Sequence, residues 1–157
     1  MALTEKQMGF AQARAESVGL VMSYYSKFGE GAFDVAKNYY AQMGKMMGEN
    51  LKRSMKIEGN DANAVAAALN AFLSQVAGMT EAAKVEGNKV ICENEGFCPV
   101  MEAVKMLNAP WEKVCVNCSW PMFEGIARGI NPDATMNVEE SRMWGDKCCK
   151  HVVTVPE

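Results

Sequence analysis

The chain has 157 residues, 49% of them apolar and 22% charged, with a formal charge of −3. That length is most simply one domain over residues 1–157 with a sizeable core, and the composition excludes a disordered chain. The mild negative charge gives no electrostatic reason to expect nucleic acid or an anionic membrane surface as partner.

Residues 1–78 read as a helical half. Thr4 with Gln7 fits a capping box, which opens a helix by satisfying free backbone N–H groups. Met8, Ala11, Ala15, Val18, Met22 and Tyr25 then recur at spacings of three and four, one apolar stripe. Gly29 and Gly31 break it. A second stripe runs Phe33, Ala36, Tyr40, Met43, Met47, Leu51, and Gly59 ends it. Asp61 is an N-cap for a third helix that turns Val65, Leu69, Phe72, Leu73 and Val76 inward, with Gly78 as its stop. The longest apolar run, Ala64 to Ala77, is broken by Asn70, Ser74 and Gln75. It falls short of the roughly 20 residues that a membrane span needs. The N-terminus lacks a basic region followed by an apolar one, so no secretory signal is expected and the chain reads as cytoplasmic.

Residues 79–157 form the cysteine-rich half. "AKVEGNKVICE" holds two strand-like runs around Gly87-Asn88, a hairpin. Pro99 to Leu107 reads as a helix with proline in its first turn, and Pro110 breaks it. Glu112 to Arg128 reads as helical with a kink near Pro121. Asn131-Pro132-Asp133 is a turn. Ala134 to Glu140 and Cys148 to Val155 read as strands that pair antiparallel. The expected class is α+β: N-terminal helices packed on a small antiparallel sheet with inserted helices. The three N-terminal helices could alternatively form the layer of a homodimer.

All six cysteines lie between Cys92 and Cys149. A cytosolic chain keeps its thiols reduced, so disulfides are not expected. Cys115-x-x-Cys118 has the spacing at which two thiolates grip one metal ion, and a tetrahedral site needs two more ligands. Cys98, just before a helix, and Cys149 are the candidates. Adjacent strand residues point to opposite faces, so Cys148 and Cys149 do not both reach one centre. Cys149 shares its face with His151, Val153 and Val155. Cys92 reads as a small buried hydrophobe, and the thirteen methionines as core filler. His151 alone is an ordinary strand residue. Glu139 or Glu140 could supply an oxygen ligand or a supporting acceptor. Trp111, Trp120 and Trp144 could line an apolar pocket or simply fill the core. Redox chemistry at the Cys-x-x-Cys pair lacks the βαβ context it normally has.

The series "CPVMEAVKML", "CVNC", "GINPDA" and "GDKCCKHVV" resembles the family named for L-2-amino-thiazoline-4-carboxylic acid hydrolase. Its C-terminal part is also similar to 4-vinyl reductase sensor domains, which bind small molecules and in some members a zinc ion. The resemblance covers roughly Cys98 to Val155 and picks out Cys98, Cys115, Cys148, Cys149, Gly145 and Asp146. It departs at Cys118, where the family has aspartate; a thiolate is a softer ligand than a carboxylate and favours zinc or iron–sulfur.

Two functions follow as expectations. In the first, Cys98, Cys115, Cys118 and Cys149 bind a metal, zinc favoured and a [4Fe-4S] cluster as the alternative, in a domain that also binds a small-molecule ligand. In the second, a metal-bound water or the Cys149 thiolate, as catalytic residue, opens a small cyclic amidine or thioimidate ring by hydrolysis of a carbon–nitrogen bond.

Overall fold

The structure is a computed structural model that describes residues 2–80 and 82–156. The capping box forms as its residues dictate. The Thr4 hydroxyl accepts from the Gln7 N–H at 3.2 Å, and the Gln7 side chain accepts from the Thr4 N–H at 3.0 Å. Helix α1 (Glu5–Phe28) follows and ends at Gly29, whose φ of 66° suits a residue without Cβ. Helix α2 (Gly31–Ser54) turns back, and Asp61 caps α3 (Ala62–Ala71), its carboxylate accepting from the Ala64 N–H at 2.9 Å. α3 does not stop at Ala71. It runs on through a wider π turn, Phe72–Val76, in which the Ala77 N–H reaches back to the Phe72 carbonyl. That extra residue per turn rotates the end of the helix. Val76, expected to point inward, is 40% exposed instead.

The second half begins with the expected hairpin, β1 (Lys84–Glu86) and β2 (Lys89–Asn94), turning at Gly87 with φ 62°. Helix α4 (Pro99–Leu107) starts on its proline. Helix α5 (Trp111–Val114), a second π turn (Cys115–Ser119) and α6 (Trp120–Arg128) form one continuous run. The irregularity sits at the Cys-x-x-Cys segment, not at Pro121. Pro121 occupies the first turn of α6, where a missing N–H is tolerated. Strands β3 (Thr135–Glu140) and β4 (Cys149–Thr154) complete an antiparallel sheet of order β1-β2-β4-β3. The fold is α+β.

A bulge between Val138 and Glu140 bends β3, and Asn94, Cys92 and Val90 on β2 face Cys149, His151 and Val153 on β4. α3 and α6 cover this face, and the buried side chains of Leu69, Ile126, Val90 and Val153 form one core from both halves of the chain. Of the N-terminal helices, α3 meets the sheet, and α2 is stacked on α6. The reason is glycine. A Cβ on Gly44 or Gly48 would strike the carbonyls of Met122 and Ile126, and one on Gly125 or Gly129 would strike those of Ala41 and Lys45. Four glycines, paired at a spacing of four on each helix, thus let two backbones touch. A second, smaller cluster of Val18, Val100, Val104 and Val114 joins α1 to α4 and α5.

Two asparagines, Asn131 buried and Asn70 half-buried, tie the loops. Asn131 donates to the carbonyls of Asn60 and Pro156, both at 3.0 Å, and accepts from the Asp133 N–H at 3.0 Å. Asn70 accepts from the Ala83 N–H at 2.6 Å and donates to its carbonyl at 3.3 Å, fixing the entry to β1.

Candidate functional site

A cavity of about 110 Å³ lies where the inner face of the sheet meets the helices. The sheet contributes Cys92, Asn94, Cys149 and His151. The end of α3 and its π turn contribute Phe72, Leu73, Ala77 and Met79. The start of α4 supplies Cys98, and the run from α5 to α6 supplies Trp111, Cys115, Trp120 and Phe123. Arg14 reaches in from α1. The wall is overwhelmingly apolar, aromatic and sulfur-bearing.

Each cysteine has a distinct place. Cys98, Cys115 and Cys149 line the cavity together with Cys92. Cys118, the fourth expected metal ligand, does not. It is buried in the main core among residues of α2, α3 and α6. The π turn accounts for the split: its i→i+5 hydrogen bonding widens the turn, so residues three apart no longer stand one above the other. Strand alternation places Cys149 inward. Its sulfur accepts from the Arg142 N–H at 3.4 Å and lies 4.0 Å from the Ser141 hydroxyl. Cys148 faces the other way and donates its thiol proton to the Glu140 carboxylate at 3.2 Å. All six thiols are free. Glu140 therefore serves Cys148, and Glu139 pairs with Lys150 at 2.9 Å; neither joins the cavity cysteines.

Burial raises the pKa of the Cys92, Cys98, Cys115 and Cys118 thiols and favours their neutral form. Burial pushes Cys92 and Cys115 up to about 12, the latter helped by the nearby sulfurs of Cys98 and Cys149. Burial also raises Cys98, opposed by the backbone N–H groups of Met101 and Val100 and by the Arg142 charge. Cys118 rises to about 11 through burial, with Arg14 opposing. His151 is packed under the rings of Phe123, at 5.4 Å, and Trp120, at 6.4 Å. Burial pushes it down to about 4, so it is neutral at pH 7. The surface that Cys98 and His151 keep is cavity surface rather than bulk solvent.

This arrangement corrects the metal-site expectation. Among the described residues, no three His, Cys, Asp or Glu side chains are grouped so as to hold a metal ion. The zinc or iron–sulfur centre at Cys98, Cys115, Cys118 and Cys149 is therefore withdrawn. The hydrolase reading goes with it. Of the tryptophans, Trp111 and Trp120 line the cavity, whereas Trp144 is half-exposed and packs edge-on against Trp120 with ring centroids 5.7 Å apart. Arg14 escaped sequence reasoning altogether. Nothing in the first helix marked it except a charge close to an apolar stripe.

Among known proteins, no family model matches the chain and no curated protein matches it in sequence. A solved structure that it resembles is a trafficking protein particle complex subunit 3 from Naegleria fowleri covalently bound to palmitic acid. The TM-score is 0.60 and the identity 12%, over 96% of each chain. That likeness is one of fold. It overturns the resemblance to the aminothiazoline-carboxylate hydrolase family and to vinyl-reductase sensors. The motifs behind that resemblance are carried mainly by cysteines, glycines and prolines. Such residues recur wherever a helix must start, a chain must turn or a small core position must be filled.

Proposed function

We propose that this chain is a binding domain for a small apolar molecule, held in the cavity between the sheet and α6. The observation that carries the reading is the cavity wall itself. It joins aromatic rings, thiols and thioethers from both halves of the chain, and its polar groups are few and convergent. Size constrains the ligand. At about 10–15 Å³ per water-sized centre, the cavity takes on the order of ten non-hydrogen atoms. The resembling trafficking subunit carries palmitic acid covalently bound, which supports an apolar occupant, although this cavity of about 110 Å³ suits a smaller molecule. The cytoplasm, where thiols stay reduced, suits six free cysteines. Titration with 1-octanol, read by calorimetry, tests the reading. Saturable binding is expected in the native chain and at least tenfold weaker binding in Met79→Trp, which plugs the wall. Absent binding, or binding that Met79→Trp leaves untouched, overturns it.

A second surface supports self-association. Leu20, Tyr24 and Phe28 on α1 and Val35 and Tyr39 on α2 flank a groove whose lining contains no charged residue. Phe28 is 60% exposed and Val35 70%. Five such side chains present on the order of 600 Å² of apolar surface, at the upper end for a monomer and close to one partner's share of a standard interface. A charge-free face pairs with its own copy without like-charge repulsion, so the partner assigned is a second copy of this chain through the N-terminal helices. No helix among the described residues is long and apolar enough to cross a membrane.

A further inference from the structure

The cavity contains one cation that has no counter-charge. Arg14 lines it, and its charge also acts on the Cys118 thiol and the Tyr40 hydroxyl in the core beside it. Among the described residues no carboxylate is paired with it: the ion pairs of the molecule are formed by Lys105, Lys113, Arg128, Lys147 and Lys150. Glu93 also borders the cavity, but strand alternation turns its side chain to the opposite face, where its charge acts on Lys150 and Cys148. A half-buried guanidinium beside apolar walls, with no carboxylate paired to it, leaves strong donors available.

Arg142 is the competing candidate. Its Nε and Nη2 are buried without partners, while Nη1 donates to the carbonyls of Glu95 at 3.2 Å and Gly96 at 2.8 Å. Those orphaned nitrogens are sealed in protein, and Arg142 is not part of the cavity wall.

We infer that the cavity takes a small apolar monocarboxylate, its head group held by Arg14 and its tail packed among Cys98, Cys115, Trp111 and Trp120. This rests on the reading of the cavity as a ligand site and names the class of ligand. The charge fits: an apolar acid brings the single negative group that the wall lacks, and a planar guanidinium accepts a carboxylate through two parallel hydrogen bonds. The size fits both a medium-chain fatty acid and a phenylalkanoic acid. The two sources share this chemistry and differ in whether the aromatic wall adds to it.

Calorimetry separates them with matched pairs: octanoate against 1-octanol, and 3-phenylpropionate against 3-phenyl-1-propanol. In the native chain each acid is expected to bind about ten- to a hundredfold more tightly than its alcohol, the range for a charge-assisted hydrogen bond. In Arg14→Gln the two members of each pair should bind alike, with alcohol affinity retained. Arg14→Lys should recover part of the preference. Circular dichroism and thermal melts check that the variants fold. Alcohols that bind while acids bind no better overturn this inference and leave the cavity reading standing. A preference that survives in folded Arg14→Gln also overturns it. Binding of neither member of either pair overturns both readings. The tighter of the two acids identifies the ligand as chain-like or aromatic.

Discussion

His151 carries a proton-linked contribution to stability. Its ordinary pKa is about 6.5 and burial lowers it to about 4. Below pH 6.5 the unfolded chain binds a proton that the folded one refuses, so stability falls as pH drops from about 6.5 towards 4 and levels off below that. At 1.36 kcal/mol per pKa unit the total is on the order of 3 kcal/mol. Denaturant unfolding at pH 7, 6 and 5 is expected to show this slope in the native chain and a flatter one in His151→Gln; parallel slopes would remove His151 from the account. Cys148 offers a second test at the same scale. The Glu140 hydrogen bond, with some burial and nearby acidic charge, holds its thiol proton up to about 11. Glu140→Gln should speed alkylation of Cys148 up to about tenfold at pH 8, since a lower pKa gains thiolate faster than it loses nucleophilicity. Peptide mass spectrometry after timed iodoacetamide treatment reads the rate, and an unchanged rate counts against the hydrogen bond. The buried thiols of Cys92, Cys115 and Cys118 should lag behind it.

At the scale of elements, the α2–α6 contact decides where the cavity wall stands. Gly44-x-x-x-Gly48 and Gly125-x-x-x-Gly129 are plain in the sequence, yet spacing alone does not say which helix receives which. In the structure a Cβ on Gly129 would come within 2.8 Å of the Glu49 nitrogen and 2.9 Å of the Gly48 Cα, distances that force backbones apart. Gly48→Ala or Gly125→Ala is expected to destabilise by about 3 kcal/mol, towards the upper end for overpacking, because the obstacle is main chain and does not move aside. Gly31→Ala, where nothing lies within 4 Å, is the control and should change stability little. Chemical denaturation measures both. Equal effects would mean that the close approach is not what constrains α2. The π turns act at this scale too. The one at Cys115–Ser119 divides a motif that an α-helix would have kept on one side, sending Cys115 to the cavity and Cys118 to the core.

For the whole molecule, the proposed self-association through the apolar outer face of α1 and α2 gives a direct test. Light scattering behind size exclusion should find a dimer at micromolar concentration, and Tyr24→Lys with Val35→Glu should give a folded monomer. A native chain that is monomeric at millimolar concentration would overturn the assignment of a second copy. Much of this architecture was legible beforehand. The capping box at Thr4, the Asp61 cap, the Gly87 hairpin, the proline start of α4 and the inward face of Cys149 depend on contacts within a few residues, and local chemistry dictates them. The sequence by itself therefore determined the order of helices and strands and the α+β class. Only the tertiary structure decided that three of the four expected ligands share a cavity while Cys118 is in the core. It also decided that burial raises the pKa of Cys98, Cys115 and Cys118, and that Arg14 from the first helix lines the cavity with Cys98 and Cys115. Those outcomes depend on desolvation and on approaches between segments distant in the chain. A periodic pattern says which face of a helix is apolar, but not what that face will meet.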